Sequence, residues 1–300
     1  MITLRQIRSV VAVAEEGSFT KAAIRENATQ SGISQHISSV ERELDVALFI
    51  RNSDGVQLTP AGRNYYPHAV GILRAVESSS DEARAVGKGI SGDVRAGLMP
   101  AFTRSVLVPA LERVIKKHPA INVQTIEGYS GQLTSMVRAE QLDFALVPAF
   151  AGRVGLTIAP VARDREMLVS GPKFGLVHSQ DVKLSDLAPL KLIIPTDSNV
   201  RHDRILEYIE GQNIKIDRLM EMDTMLGTLG LVKRTDWVTI LPGLICVGDK
   251  DGKLRRINPL IDPPLYSDFV TIEPATKPIS QQAAVFLAEL KTEIDRLSTA

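Results

Sequence analysis

The 300-residue chain is poor in several residue types: it has one cysteine, one tryptophan and five histidines. It also carries no charge surplus, with 35 basic residues against 35 acidic ones. The single thiol, Cys246, excludes an internal disulfide framework, a redox-switching cysteine pair and a clustered-thiolate metal centre. In the run Leu244-Ile245-Cys246-Val247 it reads as a small buried hydrophobe. Histidines 36, 68, 118, 178 and 202 show no ligand spacing, so no metal site is expected. No apolar run approaches the ~20 residues of a membrane span. Met1 to Gln6 lack the apolar core of a signal peptide. A cytoplasmic chain without membrane contact is expected. Dinucleotide-binding glycines, a phosphate loop and a nucleophile elbow are all missing. Arg201-His202-Asp203 is suggestive only as letters, because adjacent residues do not face one site. No catalytic residue and no cofactor are expected, so the chain is not read as an enzyme. The zero charge balance, taken alone, argues against a nucleic-acid partner.

What is present begins with three helical patterns. Leu4, Ile7, Val10, Val11 and Ala14 repeat at helical spacing and predict a first helix ending at Gly17. Ser18 or Thr20 caps a second, through Lys21 to Ile24. Thr29 caps a third, whose apolar face is Ile33, Ile37, Val40 and Leu44. This is a helix-turn-helix outline. The other face of the third helix offers Gln30, Ser31, Ser34, Gln35, His36 and Ser38, and no carboxylate occurs from 27 to 40. Amides and hydroxyls without anions suit the major groove, although a plain solvated helix would also look polar. Leu48 to Arg51 and Val56 to Leu58, flanking Asn52-Ser53-Asp54-Gly55, predict a hairpin with a glycine turn. Such a wing would turn Arg51 and Asn52 towards a phosphate backbone. Thr59-Pro60 starts the next helix.

In order, these segments resemble the winged helix-turn-helix of LysR-type transcriptional regulators. The resemblance rests on Leu4-Arg5-Gln6-Ile7, the run Val13 to Ala23 around Gly17-Ser18-Phe19-Thr20, Thr29 to Ile37, Glu41-Arg42-Glu43-Leu44, Leu48-Phe49-Ile50-Arg51 and Leu58-Thr59-Pro60-Ala61-Gly62. It implies double-stranded operator DNA as a partner, with Gln30 and Ser34 at positions that contact DNA. The departure at Thr29-Gln30-Ser31-Gly32, where the family commonly has Ser-Gln-Pro-Ala/Ser, bears on which bases are read. Gln35 stands where many members carry Arg. The DNA-contact candidates are Thr29, Gln30, Ser31, Ser34, Gln35, His36, Arg51 and Asn52.

From Pro60 to Gly87 one long helix is predicted. Tyr66, Ala69, Leu73, Val76, Ser80 and Ala83 form a thin heptad seam. That seam reads either as a core face of its own domain or, as the resemblance favours, as the antiparallel dimer contact of a linker helix. Three glycines among residues 87–92 mark a hinge. Beyond it, strands and helices alternate: Val94 to Pro100, a helix from Val106 to Ile115, Ile121 to Ile126, a short helix around Leu133, and Leu142 to Val147. The pattern resets from Glu166 and returns through Phe269 to Glu273 and a last helix, Ser280 to Leu297. The resemblance extends here to a two-lobed α/β effector-binding domain similar to periplasmic binding proteins. The expected division is 1–59 winged helix-turn-helix, 60–87 linker helix, 88–92 hinge, and 93–300 effector domain. Within the last, lobe I covers about 93–161 and 268–300, and lobe II about 162–267.

Ligands of such sheets bind beyond the carboxyl ends of strands and at helix N-termini. The loops that qualify are Pro100 to Thr103, Gly128 to Ser130, Pro148 to Phe150, Thr196 to Arg201 and Asp223-Thr224. Thr103, Ser130, Thr196, Ser198 and Thr224 offer hydroxyls, which as readily cap helices. Phe102 and Phe150 either wall an aromatic effector or belong to the core. Arg201 offers a bidentate fork for a carboxylate or phosphate, so an organic anion is the effector expected. The functional expectation is a homodimeric or homotetrameric, effector-controlled regulator, with RNA polymerase as a further candidate partner. Its rival is a ligand-independent DNA-binding protein whose C-terminal domain serves only assembly. Residues 1–90 carry ten basic and ten acidic side chains, so DNA affinity must come from where acids are absent rather than from net charge.

Overall fold

A computed structural model of the chain describes residues 1–52, 55–85, 90–152 and 154–298. Two compact units emerge, residues 1–89 with 152–157 and 274–278, and the remainder from Ile90.

In the first unit α1 (Leu4–Glu16) opens with a reciprocal cap. The Gln6 amide donates to Thr3 Oγ1 (3.3 Å), and the Thr3 amide donates to the Gln6 side chain (2.8 Å). It closes on Gly17, left-handed at φ 58°. Ser18, rather than Thr20, caps α2 (Phe19–Arg25), and Thr29 caps α3 (Gln30–Leu44). The three helices bury Val10, Val13, Phe19, Ala22, Ile33, Ile37, Val40 and Leu48 in one core. Each large apolar side chain there contributes roughly 1.5–3 kcal/mol. Leu4 and Leu44, expected on the core faces, are instead exposed, each being the terminal residue of its helix.

The wing is the antiparallel pair β1 (Phe49–Asn52) and β2 (Gly55–Leu58), in register from Phe49 opposite Leu58 to Asn52 opposite Gly55. Its turn residues 53 and 54 lie outside the described residues. Glu41 of α3 fixes the wing's start by accepting from the amides of Leu48 (2.7 Å) and Phe49 (3.2 Å). Thr59 then caps α4 (Pro60–Ala85), accepting from the Gly62 amide (2.9 Å). Gly62 is required, since a Cβ there would sit 2.1 Å from the Leu48 carbonyl oxygen.

The seam along α4 divides. Ala69 and Leu73, with Val70, pack on Ile7 and Val11 of the same unit, so this stretch is core and not a free dimer face. Val76 and Ser80 stay half-exposed. The Ala83 side chain and hinge residues 88–89 lie outside the described residues.

The second unit begins with β3 (Gly92–Leu98), α5 (Pro100–Ser105), α6 (Leu107–Lys117), β4 (Ile121–Glu127), α7 (Ser130–Arg138) and β5 (Phe144–Pro148). β3 lies parallel to both β4 and β5. Pro100 to Thr103, expected as a loop, are the first turn of α5: proline is preset for a helix start, and so it ends the strand at Leu98. There follow β6 (Leu156–Ser170), β7 (Val182–Lys183), β8 (Leu190–Ile194), α8 (Arg201–Gly211), β9 (Ile216–Glu221), α9 (Met225–Arg234) and β10 (Val238–Pro242). A 3-10 turn (Gly243–Asp249), β11 (Arg256–Ile261), β12 (Tyr266–Pro274) and α10 (Gln281–Ser298) complete it.

Strand order is β4-β3-β5-β12-β6-β10-β8-β9, with β11 on β6. β12 returns antiparallel to β5, which places the chain's end in the first lobe, and β10 runs parallel to β8 in the second. Lobe I is centred on Phe102, Leu133, Phe144, Phe269 and Phe286, and lobe II on Leu168, Leu192, Ile194, Ile205, Val238 and Ile240.

Candidate functional site

Two surfaces matter, the outer face of α3 and the cleft between the lobes. On α3, Gln30, Ser31 and Gln35 are exposed. Thr29 is also exposed, but its hydroxyl is engaged, accepting from the Gly32 amide (3.1 Å) and lying 3.2 Å from Ser31 Oγ. Ser34 is half-buried and accepts from Arg51 (3.3 Å). The Arg51 guanidinium also stacks 4.3 Å from the centre of the Phe19 ring. The wing arginine is thus held between the start of α2 and the middle of α3. His36 departs from the expected face. Its Nδ1 is hydrogen-bonded to Ser9 Oγ (2.7 Å), which also lies 3.1 Å from the Arg5 carbonyl oxygen. The imidazole is therefore committed to α1. The Asn52 side chain lies outside the described residues.

The cleft differs more from expectation. Phe102 is wholly buried, edge-on to Phe269 at 5.1 Å between ring centres, and is core rather than a ligand wall. Arg201 is 4 % exposed and closed onto Glu166, itself 2 % exposed, through Nε–Oε1 (2.9 Å) and Nη2–Oε2 (2.6 Å). Its Nη2 also donates to the Ile240 carbonyl (3.0 Å), and Ser267 donates to Glu166. The fork expected for an effector anion is filled by the protein's own carboxylate.

Thr196 and Ser198 both donate to Asp223, which accepts from the Thr196 amide as well (3.2 Å). Thr103 donates to Glu127. Ser130 is buried and accepts from the Val200 amide (3.2 Å), a bond from lobe I to lobe II. A Cβ on Gly131 would lie 3.0 Å from the Ser198 carbonyl oxygen, so the lobes meet closely here. Phe150 is half-buried and Thr224 exposed. Tyr129, just before α7, has its hydroxyl pushed up to about 12 by burial and by the charges of Asp223 and Glu127.

Glu127 and Glu166 are therefore cleft residues outside the loops named from the sequence, while Tyr129 and Asp223 lie within those loops but are not among the candidate contacts. Glu127 and Asp223 stand at or just beyond the carboxyl ends of β4 and β9, and that signal applied to acids as well as to hydroxyls.

An N-terminal winged helix-turn-helix followed by a two-lobed α/β domain defines a one-chain DNA-binding regulator with a sensing domain. Two family models cover nearly all of it. Residues 4–63 match "Bacterial regulatory helix-turn-helix protein, lysR family" and residues 87–295 match "LysR substrate binding domain". The chain belongs to the LysR family and is a LysR-type transcriptional regulator with an effector-binding domain. Its relatives include the probable cat1 operon transcriptional activator of Acinetobacter lwoffii, 30% identical over 248 residues, 80% of each chain. Another is the nitrogen assimilation regulatory protein nac of Klebsiella aerogenes, 27% identical over 86% of this chain and 85% of that protein. Among solved structures, a cysteine-substituted, H2O2-bound OxyR of Corynebacterium glutamicum superposes with TM-score 0.61 at 22% identity, covering 100% of this chain and 96% of that one. CbnR in complex with its target DNA gives 0.56 at 20%, covering 97% and 99%. No helix among the described residues is long and apolar enough to cross a membrane.

Proposed function

We propose that residues 1–59 bind operator DNA, that 60–87 link protomers, and that 93–300 sense a small molecule between lobes I and II. The observation that carries the DNA assignment is the α3 face, where Gln30, Ser31 and Gln35 stand exposed while Ser34 holds the wing's Arg51. Gln30 and Gln35 read base edges; Thr29, Ser31, Arg51 and Asn52 position the backbone. His36 is held against α1 through Ser9. The protein acts as a cytoplasmic homodimer or homotetramer, contacts RNA polymerase at its promoters, and carries out no reaction of its own.

The effector is a hydrogen-bonding molecule that is neutral or cationic, not an organic anion. Supporting this, Arg201 is already neutralised by Glu166, while Glu127 and Asp223 put negative charge around Tyr129. Ser130, Thr196, Ser198, Thr103 and Thr224 supply the polar lining, with Phe150 at its edge. A thermal-shift screen of amines, polyols and carboxylates on the full-length protein tests this. Stabilisation by amines or polyols, lost in Asp223→Asn, is the expected result. Stabilisation by carboxylates alone overturns it. Normal operator binding with no hit in any class favours the rival reading, in which the C-terminal domain serves assembly.

A further inference from the structure

The DNA-facing surface so far has one built edge, the wing. Arg51 meets Ser34 on one side of α3. Ser34 and His36 are two residues apart, hence about 200° apart around the helix. The element that His36 touches therefore flanks α3 on the side away from the wing. That element is α1, held through Ser9.

On α1, Arg5 and Arg8 are three residues apart, share a face and are both exposed. No Asp or Glu occurs from residue 1 to 14. The nearby acids are committed elsewhere: Glu15 and Glu16 to Arg25, Glu43 to the N-terminal amine, and Glu41 to the wing amides. Among the described residues neither Arg5 nor Arg8 makes an ion pair. Two unneutralised guanidiniums beside an anion-free recognition helix match a phosphate backbone in charge. A helix lying in a groove about 12 Å wide has a backbone on each side.

We propose that Arg5 and Arg8 form a second phosphate-contact edge, opposite the wing, so that each protomer grips both backbones of the groove that α3 enters. The inference rests on the DNA reading of α3. It also explains how a domain with no net charge holds a polyanion: basic charge lies along the two edges, while Glu15, Glu16, Glu41 and Glu43 are engaged within the protein.

The test is fluorescence anisotropy of the full-length protein on a mixed-sequence duplex of about 30 base pairs across a potassium chloride series. Arg5→Gln/Arg8→Gln should lower the slope of log K against log salt by about two per bound protomer. It should weaken binding at least about tenfold at physiological salt, by the same factor on duplexes of different sequence. Arg5→Lys/Arg8→Lys should restore most of the slope. Arg138→Gln, exposed on α7, should leave it unchanged, and an unchanged melting temperature shows that the glutamine pair folds. An unchanged slope in the glutamine pair, or a loss confined to one sequence, overturns the proposal. Absence of duplex binding by the unaltered protein overturns the DNA reading itself, a separable result.

Discussion

Arg201 and Glu166 form a bidentate ion pair with both side chains at least 95% buried, joining the first turn of α8 to β6 in lobe II. Two charges this deep are tolerated because the pair is bidentate and further bonded: Arg201 Nη2 also donates to the Ile240 carbonyl, and the Ser267 hydroxyl donates to Glu166. Removing one partner leaves the other buried and uncompensated, at a cost of about 3–5 kcal/mol. Arg201→Ala and Glu166→Gln should therefore each lower the melting temperature of the C-terminal domain sharply, without any ligand present. Calorimetry of the full chain checks this. A folded Arg201→Ala variant of wild-type stability would return the guanidinium to the list of effector ligands.

Arg51 makes a contrasting prediction, because its guanidinium is exposed and its energetic value in the free protein is small. Stacking on Phe19 contributes about 0.5–1 kcal/mol at such a site. Arg51→Ala should leave stability nearly unchanged, weaken binding to every duplex and lower the salt slope by about one per protomer. Ser34→Ala should give a milder form of the same change by freeing the arginine. If instead Ser34→Ala alters base preference while the salt slope holds, Ser34 reads a base and does not position the wing.

The difference between these two arginines shows what the sequence made legible. Arg51 stands beside a hairpin signal that its own neighbours encode, and caps such as Ser18, Thr29 and Thr59 likewise depend on residues within three positions. Arg201, on α8, has its partner 35 residues upstream on the strand β6. Nothing local to Arg201-His202-Asp203 announces it, so an exposed fork was the natural expectation. The same holds for Thr196 and Ser198, whose acceptor Asp223 is brought in by the parallel pairing of β8 with β9. Helices and lobes were readable because periodicity is local. The cleft's charge was not, because strand pairing decides which acids meet which hydroxyls.

Cys246 is not poised for thiol chemistry. It is 6% exposed within the 3-10 turn after β10, its Sγ directed at the Pro242 carbonyl oxygen (3.6 Å). Burial, reinforced by Asp249, raises its thiol well above the ordinary range, so almost no thiolate exists at neutral pH. Native protein should resist a thiol-labelling reagent until unfolded, and Cys246→Ala should keep wild-type DNA binding before and after peroxide. Rapid labelling of native protein, or a peroxide response abolished by that substitution, would show the thiol to be reactive.

Asp164, on β6 two residues before Glu166, gives the C-terminal domain a pH dependence of definite sign. Its carboxylate accepts from the Leu244 amide (2.7 Å) at the turn that follows β10. Burial is the largest influence on it, and the Glu166 charge adds to this, while the amides and Arg201 oppose; the net effect lifts its pKa from 3.8 to about 6. A carboxyl group whose pKa is higher folded than unfolded stabilises the fold when protonated. That contribution is complete below about pH 4 and is lost as pH rises through 6. Two units correspond to at most about 3 kcal/mol. Asp164→Asn keeps the acceptor for Leu244 and removes the ionisation. Its stability should exceed wild type above pH 6, and the gap should narrow towards pH 4. Denaturation midpoints measured across that window decide the matter: curves that stay parallel from pH 4 to 8 would mean that Asp164 is ionised throughout and contributes only its hydrogen bonds.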